Sequence, residues 1–386
     1  MRDLRAFIDE VKALGELKVI KGADWDMEIG AITLLSEEEA HTPAILFDEI
    51  KGYPAGFRVL VNSYVSLVRS ALTLNLPTGL KPMECIKELK GRLVNLKRIP
   101  PRTVTDGPIL ENVHTGKDVN VLKFPAPKWH ELDGGRYIGT GSFTITRDPE
   151  EGWINLGTYR LMVHDENTLG FYISPGKHGR IHRDKYFARG EPCKVAISLG
   201  HDPLFLLAGA TLFPSGYSEY DFIGGMMGEP VDVIKGPYTG LPIPANSEIV
   251  IEGESVPNET KPEGPFGEWT RYYASKVRPE PVIRVKTILH RNNPIILGEP
   301  PGKDISGVPP KVDALTLVRT ALAWHQMEAA GIPGIKGIWR YDNFYIVVVS
   351  IEQLYHGHAR QTLLAASGCR VIAFCGRYII VVDDDI

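Results

Sequence analysis

Apolar residues along the first hundred positions switch between two periods. Leu4, Phe7, Ile8, Val11 and Leu14 recur at three- and four-residue steps, the stripe of an amphipathic helix. Short apolar runs follow at Leu17–Ile20, Ala44–Phe47 and Phe57–Val61, and these predict strands. Met83–Leu96 returns to helical spacing. Residues 1–108 thus predict a small α/β unit that ends in the Pro-rich linker Ile99–Pro108.

The texture then changes. Tyr137–Thr146, Trp153–His164, Val195–Leu199, Glu248–Glu252 and Val282–Leu289 are β-rich and densely broken by Gly and Pro. Residues 109–310 predict an antiparallel sheet or barrel with long loops. From 311, Val312–Ala330 carries Leu315, Val318, Leu322 and Met327 on one helical stripe. Ile335–Ile351 predicts strands, His356–Ala366 a helix, and Arg370–Phe374 and Tyr378–Val382 further strands. The fold class is α+β, in three parts: 1–108, 109–310 and 311–386. The last strand runs into Asp383, Asp384, Asp385 and Ile386. An apolar strand with no helix after it predicts an incomplete 311–386 segment with an exposed apolar face.

Composition narrows the function classes. The 386 residues hold 43 Lys and Arg against 47 Asp and Glu, a net charge of −4. No basic footprint of a nucleic-acid binder is present. The short basic run Lys177, Arg180, His182, Arg183 reads as a solvated loop or an anion site. The N-terminus is charged throughout, and no apolar run reaches the ~18 residues of a membrane helix. Cys85, Cys193, Cys369 and Cys375 lack CxxC spacing and read as reduced thiols, which predicts a cytoplasmic protein.

No P-loop, nucleophile elbow, HExxH or complete GxGxxG occurs. Polar residues concentrate instead in Gly-broken segments. Asn155 and Arg160 lie five residues apart around Gly157, and a bulge there brings them to one side. Arg160 offers a planar fork that matches a carboxylate. His178 sits in the turn Ser174–Gly179, as a metal ligand, a base or a plain loop histidine. Glu263 and Glu268 bracket a Gly-Pro-Phe-Gly turn, and paired acids near an arginine can split into a charged partner and a proton donor. Glu219 and Glu229 flank the Gly-rich Gly224–Gly228, and Arg377 opens the last strand.

In this order, from Pro43–Ile50 to the aspartates, the segments resemble the UbiD family of decarboxylases; the arginine with Glu263-Gly-Pro-Phe-Gly-Glu268 is the most specific element. The resemblance implies a flavin-reductase-like split β-barrel between two α/β parts. It implies prenylated FMN with Mn2+ or Mg2+, and K+ as a further ion. The catalytic set falls on Arg160, Glu263 and Glu268, and the metal ligands on Asn155, His178 and Glu219, with Glu219 preferred to Glu229. The other implied cofactor contacts are Thr140, Thr158, Tyr159, Lys177, Thr211, Leu212 and Arg377, the last standing where the family has lysine. A flavin phosphate brings about two negative charges; a divalent ion on one carboxylate and the Arg377 cation bring the sum near zero, as burial requires.

The implied reaction is reversible, non-oxidative loss of CO2 from an aromatic or α,β-unsaturated carboxylic acid. Arg160 holds the carboxylate, Glu268 donates the proton and Glu263 orients Arg160. The implied partners are the acid and CO2, a flavin prenyltransferase that supplies the cofactor, and further copies of the chain in a homodimer or larger homo-oligomer. The alternatives are a non-catalytic flavin-binding or assembly protein and a plain FMN oxidoreductase, and neither needs Glu263 and Glu268.

Overall fold

The protein is described by a computed structural model covering residues 1–268, 272–301, 312–341, 345–373 and 376–385. It divides into two units, Met1–Ser63 with Arg98–Gly302, and Tyr64–Lys97 with Lys303–Ile386. The predicted 310/311 boundary lies outside the described residues.

In the first unit, the helix Leu4–Ala13 is capped by the Asp3 carboxylate, which accepts from the Ala6 N–H. It buries Leu4, Phe7, Ile8 and Val11. The strands Leu17–Lys21, Ala44–Asp48 and Arg58–Val61 stand where expected. Ile295–Leu297 completes their sheet by pairing parallel to Arg58–Val61, so residues far apart in sequence share one layer.

The middle of the chain forms a large, mainly antiparallel sheet. Its order is Arg136–Tyr137, Met162–Asp165, Thr168–Gly170, Arg278–His290, Ile249–Ser255, Cys193–Leu199, Phe143–Arg147 and Ile154–Gly157. Arg278–His290 is the spine, pairing early with Thr260–Glu263 and late with Asn112–Thr115. A register shift at Glu252/Gly253 accentuates the curl. Tyr137, Phe171, Ile197, Ile251 and Ile283 belong to the enclosed core. This is the half-barrel expected for a split-barrel core.

Three helices interrupt the β-rich segment where only loops were expected: His178–Ala188, Pro203–Ala210 and Glu219–Met227. The first is strongly charged. The second is apolar on every side and buried, so it has no periodicity to read. The third contains Gly224 and Gly225, which weaken helical propensity. Consequently His178 opens a helix rather than lying in a turn, and Glu219 opens another. The run Lys177–Arg183 is no solvated loop: His182 and Arg183 are buried, and Arg183 lies against Phe171 and Phe187.

The second unit joins two stretches of sequence. Leu67–Thr73 and Pro82–Val94 pack on Ala314–Ala329, a pairing the local sequence pattern does not announce. Cys85, Ile86 and Leu89 face that packing, and Lys90 pairs with Glu328 beside Trp324. The sheet order is Ile335–Tyr341, Ile346–Ile351, Tyr378–Asp383. Its last strand is an edge, with Tyr378 and Ile380 exposed. Arg370–Ala373 is a helix and not the expected strand, because so short an apolar run carries no period of its own. Phe374 lies outside the described residues. Cys85, Cys193 and Cys369 are free and buried, and Cys375 lies outside the described residues. Among the described residues, no helix is long and apolar enough to cross a membrane.

Candidate active site

The strand Ile154–Gly157 does not bulge at Gly157. It ends there, and the chain rejoins the sheet at Met162. The cause is Tyr159, whose phenol folds back against two glycines. An added Cβ at Gly157 or Gly179 would stand 2.0 or 2.5 Å from its hydroxyl. That hydroxyl accepts from the Gly179 N–H at 3.0 Å and from Asn155 Nδ2 at 3.4 Å. Tyr159 thus ties Asn155 to the start of the His178 helix. Tyr159→Phe leaves both donors without this acceptor and should cost about 1–3 kcal/mol. Thermal denaturation of the purified variant checks this; an unchanged midpoint would rule it out.

Arg160 leaves this segment toward the two glutamates. Its Nε and Nη2 donate to the two oxygens of Glu263, each at 2.9 Å, and Nη1 donates to Glu268 Oε1 at 2.6 Å. Tyr137 Oη adds a bond to Glu263 Oε1 at 3.2 Å. Tyr172 and Phe266 stack against the guanidinium. The two acids are therefore unequal. Glu263 is 1% exposed and gives both oxygens to Arg160. Glu268 keeps a quarter of its side chain accessible, and burial pushes its carboxyl above the ordinary 4.5, with Arg160 opposing and Glu263 adding to the rise.

A second cluster lies on the other side of Tyr159. Glu219 Oε2 accepts from the Leu156 N–H at 2.7 Å, which sets this carboxylate beside Asn155. Asn155 Nδ2 also reaches Thr146 Oγ1. His178 Nε2 stands 3.5 Å from Ser215 Oγ, and its ring meets Trp153 edge-on. Glu219 is buried, and burial pushes its carboxyl up to about 8. A buried carboxylate held so high is deficient in positive charge, and a divalent ion would supply it. Asn155, His178 and Glu219 are an oxygen- and nitrogen-donor set of the kind that suits Mn2+ or Mg2+. Among the described residues, no group of three His, Cys, Asp or Glu side chains forms a metal cage; this set counts only two such residues. Glu229 is half exposed and pairs with the Met1 amino group at 3.0 Å.

Beside Arg160 and Glu268 opens a concavity of ≈ 620 Å³, partly open to solvent. Thr140, Thr158, Tyr159, Arg160, Lys177 and Glu268 line it, and so do Tyr172, Ser174, Phe266 and Pro301. Thr140 Oγ1 is buried there without a partner among the described residues, as a ligand-facing hydroxyl would be. Thr211 donates its hydroxyl to Leu207 O at 2.7 Å, and Leu212 follows it half-buried in the loop. Arg377 belongs to the second unit, exposed just before Tyr378–Asp383.

Models of three UbiD-family domains match in succession. The 3-octaprenyl-4-hydroxybenzoate carboxy-lyase N-terminal domain covers residues 8–89, the Rift-related domain 102–304 and the C-terminal domain 314–386. The chain belongs to the UbiD family. Members of this carboxy-lyase family include a pyrrole-2-carboxylic acid decarboxylase of Pseudomonas aeruginosa, 35% identical over 85% of this chain and 70% of that protein. A phenolic acid decarboxylase of Streptomyces sp. strain D7 is 30% identical over 100% of this chain and 81% of its own. The UbiD-class enzyme HmfF of Pelotomaculum thermopropionicum, in an evolved dimeric form bound to prFMN, superposes with a TM-score of 0.88 at 26% identity, over 100% of this chain and 86% of that one. The vanillic acid decarboxylase of Sedimentibacter hydroxybenzoicus in closed form gives 0.88 at 27%, over 100% and 82%.

Within this UbiD-family site, sequence reasoning missed Tyr137, Tyr172, Ser174, Phe266 and Pro301. Tyr137 carried no signal beyond a strand position. Phe266 stood inside the Glu263–Glu268 motif, where only the glycines and acids drew notice.

Proposed function

We propose that this chain is a prenylated-FMN-dependent, non-oxidative decarboxylase, or the corresponding carboxylase, of an aromatic or α,β-unsaturated carboxylic acid. One observation carries the reading: Arg160 is gripped by two glutamates of unequal exposure at the edge of an aromatic-lined concavity. Prenylated FMN, when bound, supplies the electron sink that no side chain offers. Thr140, Thr158, Tyr159 and Lys177 are the first unit's candidates to hold it, and Asn155, His178 and Glu219 would hold Mn2+ or Mg2+, whose charge would offset that of the flavin phosphate. The same reading calls for a flavin prenyltransferase as supplier, a cytoplasmic setting and a homo-oligomer.

Arg160 receives the substrate carboxylate, and Glu263 fixes the plane of the guanidinium. One arginine then faces three acids. A proton on Glu268 removes one negative charge, in keeping with its upward shift. The carbon–carboxylate bond breaks, CO2 leaves, and the Glu268 proton takes its place on carbon. Solvent reprotonates Glu268 through its accessible edge. A plain FMN oxidoreductase or a binding protein gives this pair of acids no task.

Turnover should therefore depend on the protonated form of Glu268. A carboxyl shifted upward by the fold stays protonated above the ordinary 4.5 and ionises as pH rises through its raised value. The expected kcat is flat on the acid side of that value and falls beyond it. Folding stability changes with the same sign: the Glu268 contribution is complete below 4.5 and is lost as pH rises through the folded value. A kcat that climbs across this interval would contradict the assignment.

Metal content gives a separate test. Glu219→Gln should lower Mn2+ affinity by more than the ~10–100-fold that outer-shell substitutions cost, and bound flavin should fall with it. Glu229→Gln should keep both. Metal and flavin analysis of the two proteins decides it: loss in Glu229→Gln beside retention in Glu219→Gln would reverse the ligand choice.

A further inference from the structure

Among the described residues, no strand holds the turn that ends at Glu268. The chain leaves Thr260–Glu263 at Gly264, whose φ of +84° suits glycine alone, and runs irregularly to Glu268. Yet Glu268 must meet Arg160 Nη1 at 2.6 Å. The segment His130–Tyr137 supplies the missing constraint at three points. Tyr137 Oη reaches Glu263 and Pro265 O. The Gly134 N–H donates to Pro265 O at 2.8 Å. Asp133 Oδ1 accepts from the Gly267 N–H at 2.8 Å, one residue before Glu268.

Asp133 closes its own loop through Oδ2, which accepts from the His130 N–H at 3.0 Å and lies 3.3 Å from His130 Nδ1. Its second oxygen argues for more, because that bond reaches across 134 positions of sequence to the turn bearing Glu268. The carboxylate is 5% exposed, so its two amide bonds form away from competing water. The two segments also touch backbone to backbone. A Cβ on Gly134 would stand 2.1 Å from Gly264 O, and one on Gly267 2.5 Å from the His130 ring.

We propose that Asp133 is a positioning residue for the proton donor: it holds the Gly267 amide and thereby sets Glu268 against Arg160. The inference rests on Glu268 being the proton donor. Without the Asp133 bond, Glu268 moves toward solvent and its reach to the reacting carbon is lost; a displacement on the order of 1 Å costs ~10²-fold in rate.

The test uses prenylated-FMN holoenzyme of the parent, Asp133→Ala, Asp133→Asn, Gly134→Ala and Glu268→Gln. Asp133→Ala should lower kcat by ~10²-fold with KM and flavin content near parental. Its alkaline limb of kcat should also move to lower pH, as Glu268 loses the burial that raises it. The charged groups acting on Glu268 (Arg160, Glu263 and Arg278) remain unchanged in that variant. Asp133→Asn keeps one oxygen for the Gly267 N–H and should recover most of kcat. If Asp133→Ala does not fold, Gly134→Ala displaces the same turn with every charge in place and should show the same lower kcat and shifted limb. Parental kcat and pH limb in a folded Asp133→Ala, or a change in KM alone, overturns the proposal. A Glu268→Gln enzyme that turns over at the parental rate sinks the proton-donor reading itself, a separate outcome.

Discussion

Glu268→Gln should abolish steady-state turnover while the protein still folds and binds flavin. Glutamine keeps the size of the side chain and an oxygen that can accept from Arg160 Nη1, so the contact at 2.6 Å survives. What disappears is the transferable proton. General acid catalysis by a positioned carboxyl contributes ~10²–10⁴-fold, and a loss of that size is expected in CO2 release. Because burial disfavours the charged form of Glu268, neutral glutamine should hold its stability better than the parent as pH rises. Parent-rate CO2 release by the flavin-loaded variant would remove Glu268 from the mechanism.

Arg160→Lys carries the second large effect. Lysine preserves the charge but replaces a planar fork with a single ammonium. The paired bonds to Glu263 at 2.9 Å cannot both form in the same plane, and the bond to Glu268 competes with them. A loss of ~10²–10³-fold in kcat/KM is expected, the range for removing one preorganised donor. Arg160→Ala is a poorer test. It strands Glu263, which is 1% exposed, and breaking a buried pair in this way costs about 3–5 kcal/mol. Near-parental kcat/KM in flavin-loaded Arg160→Lys would dismiss the carboxylate clamp.

Much of the fold was legible because its signals are local. The stripe Leu4–Val11 reports its helical period directly, and the runs Ala44–Phe47 and Phe57–Val61 are short apolar blocks set off by Pro43 and Asp48 and by Gly56 and Asn62. The three helices inside the β-rich segment were hidden for opposite reasons. Pro203–Ala210 is buried on all sides and has no polar face to set a phase. His178–Ala188 is so polar that its register hides, although it still buries His182 and Arg183. The packing of Leu67–Thr73 and Pro82–Val94 on Ala314–Ala329 was hidden because the partner helix lies over two hundred positions away, and no local pattern encodes that pairing.

The site divides the same way. Arg160, Glu263 and Glu268 announced themselves through residue type and the Gly-Pro-Phe-Gly turn between the acids. Their convergence depends on Tyr159 turning the chain out of its strand, and the only sign of that was Gly157. The expected bulge named the right glycine and the wrong geometry. Asp133, Tyr137 and Tyr172 were silent because their work is contact with other segments, visible only once the sheet brings those segments together.

Isotope incorporation during decarboxylation tests the central claim most directly. The protein is produced together with a flavin prenyltransferase, its released flavin is checked for the prenyl adduct by mass spectrometry, and a panel of aromatic and α,β-unsaturated acids is turned over in D2O. The account predicts CO2 release from at least one acid, with one deuterium placed on the vacated carbon for each CO2. Prenylated, folded enzyme that releases no CO2 from any acid in the panel would contradict it.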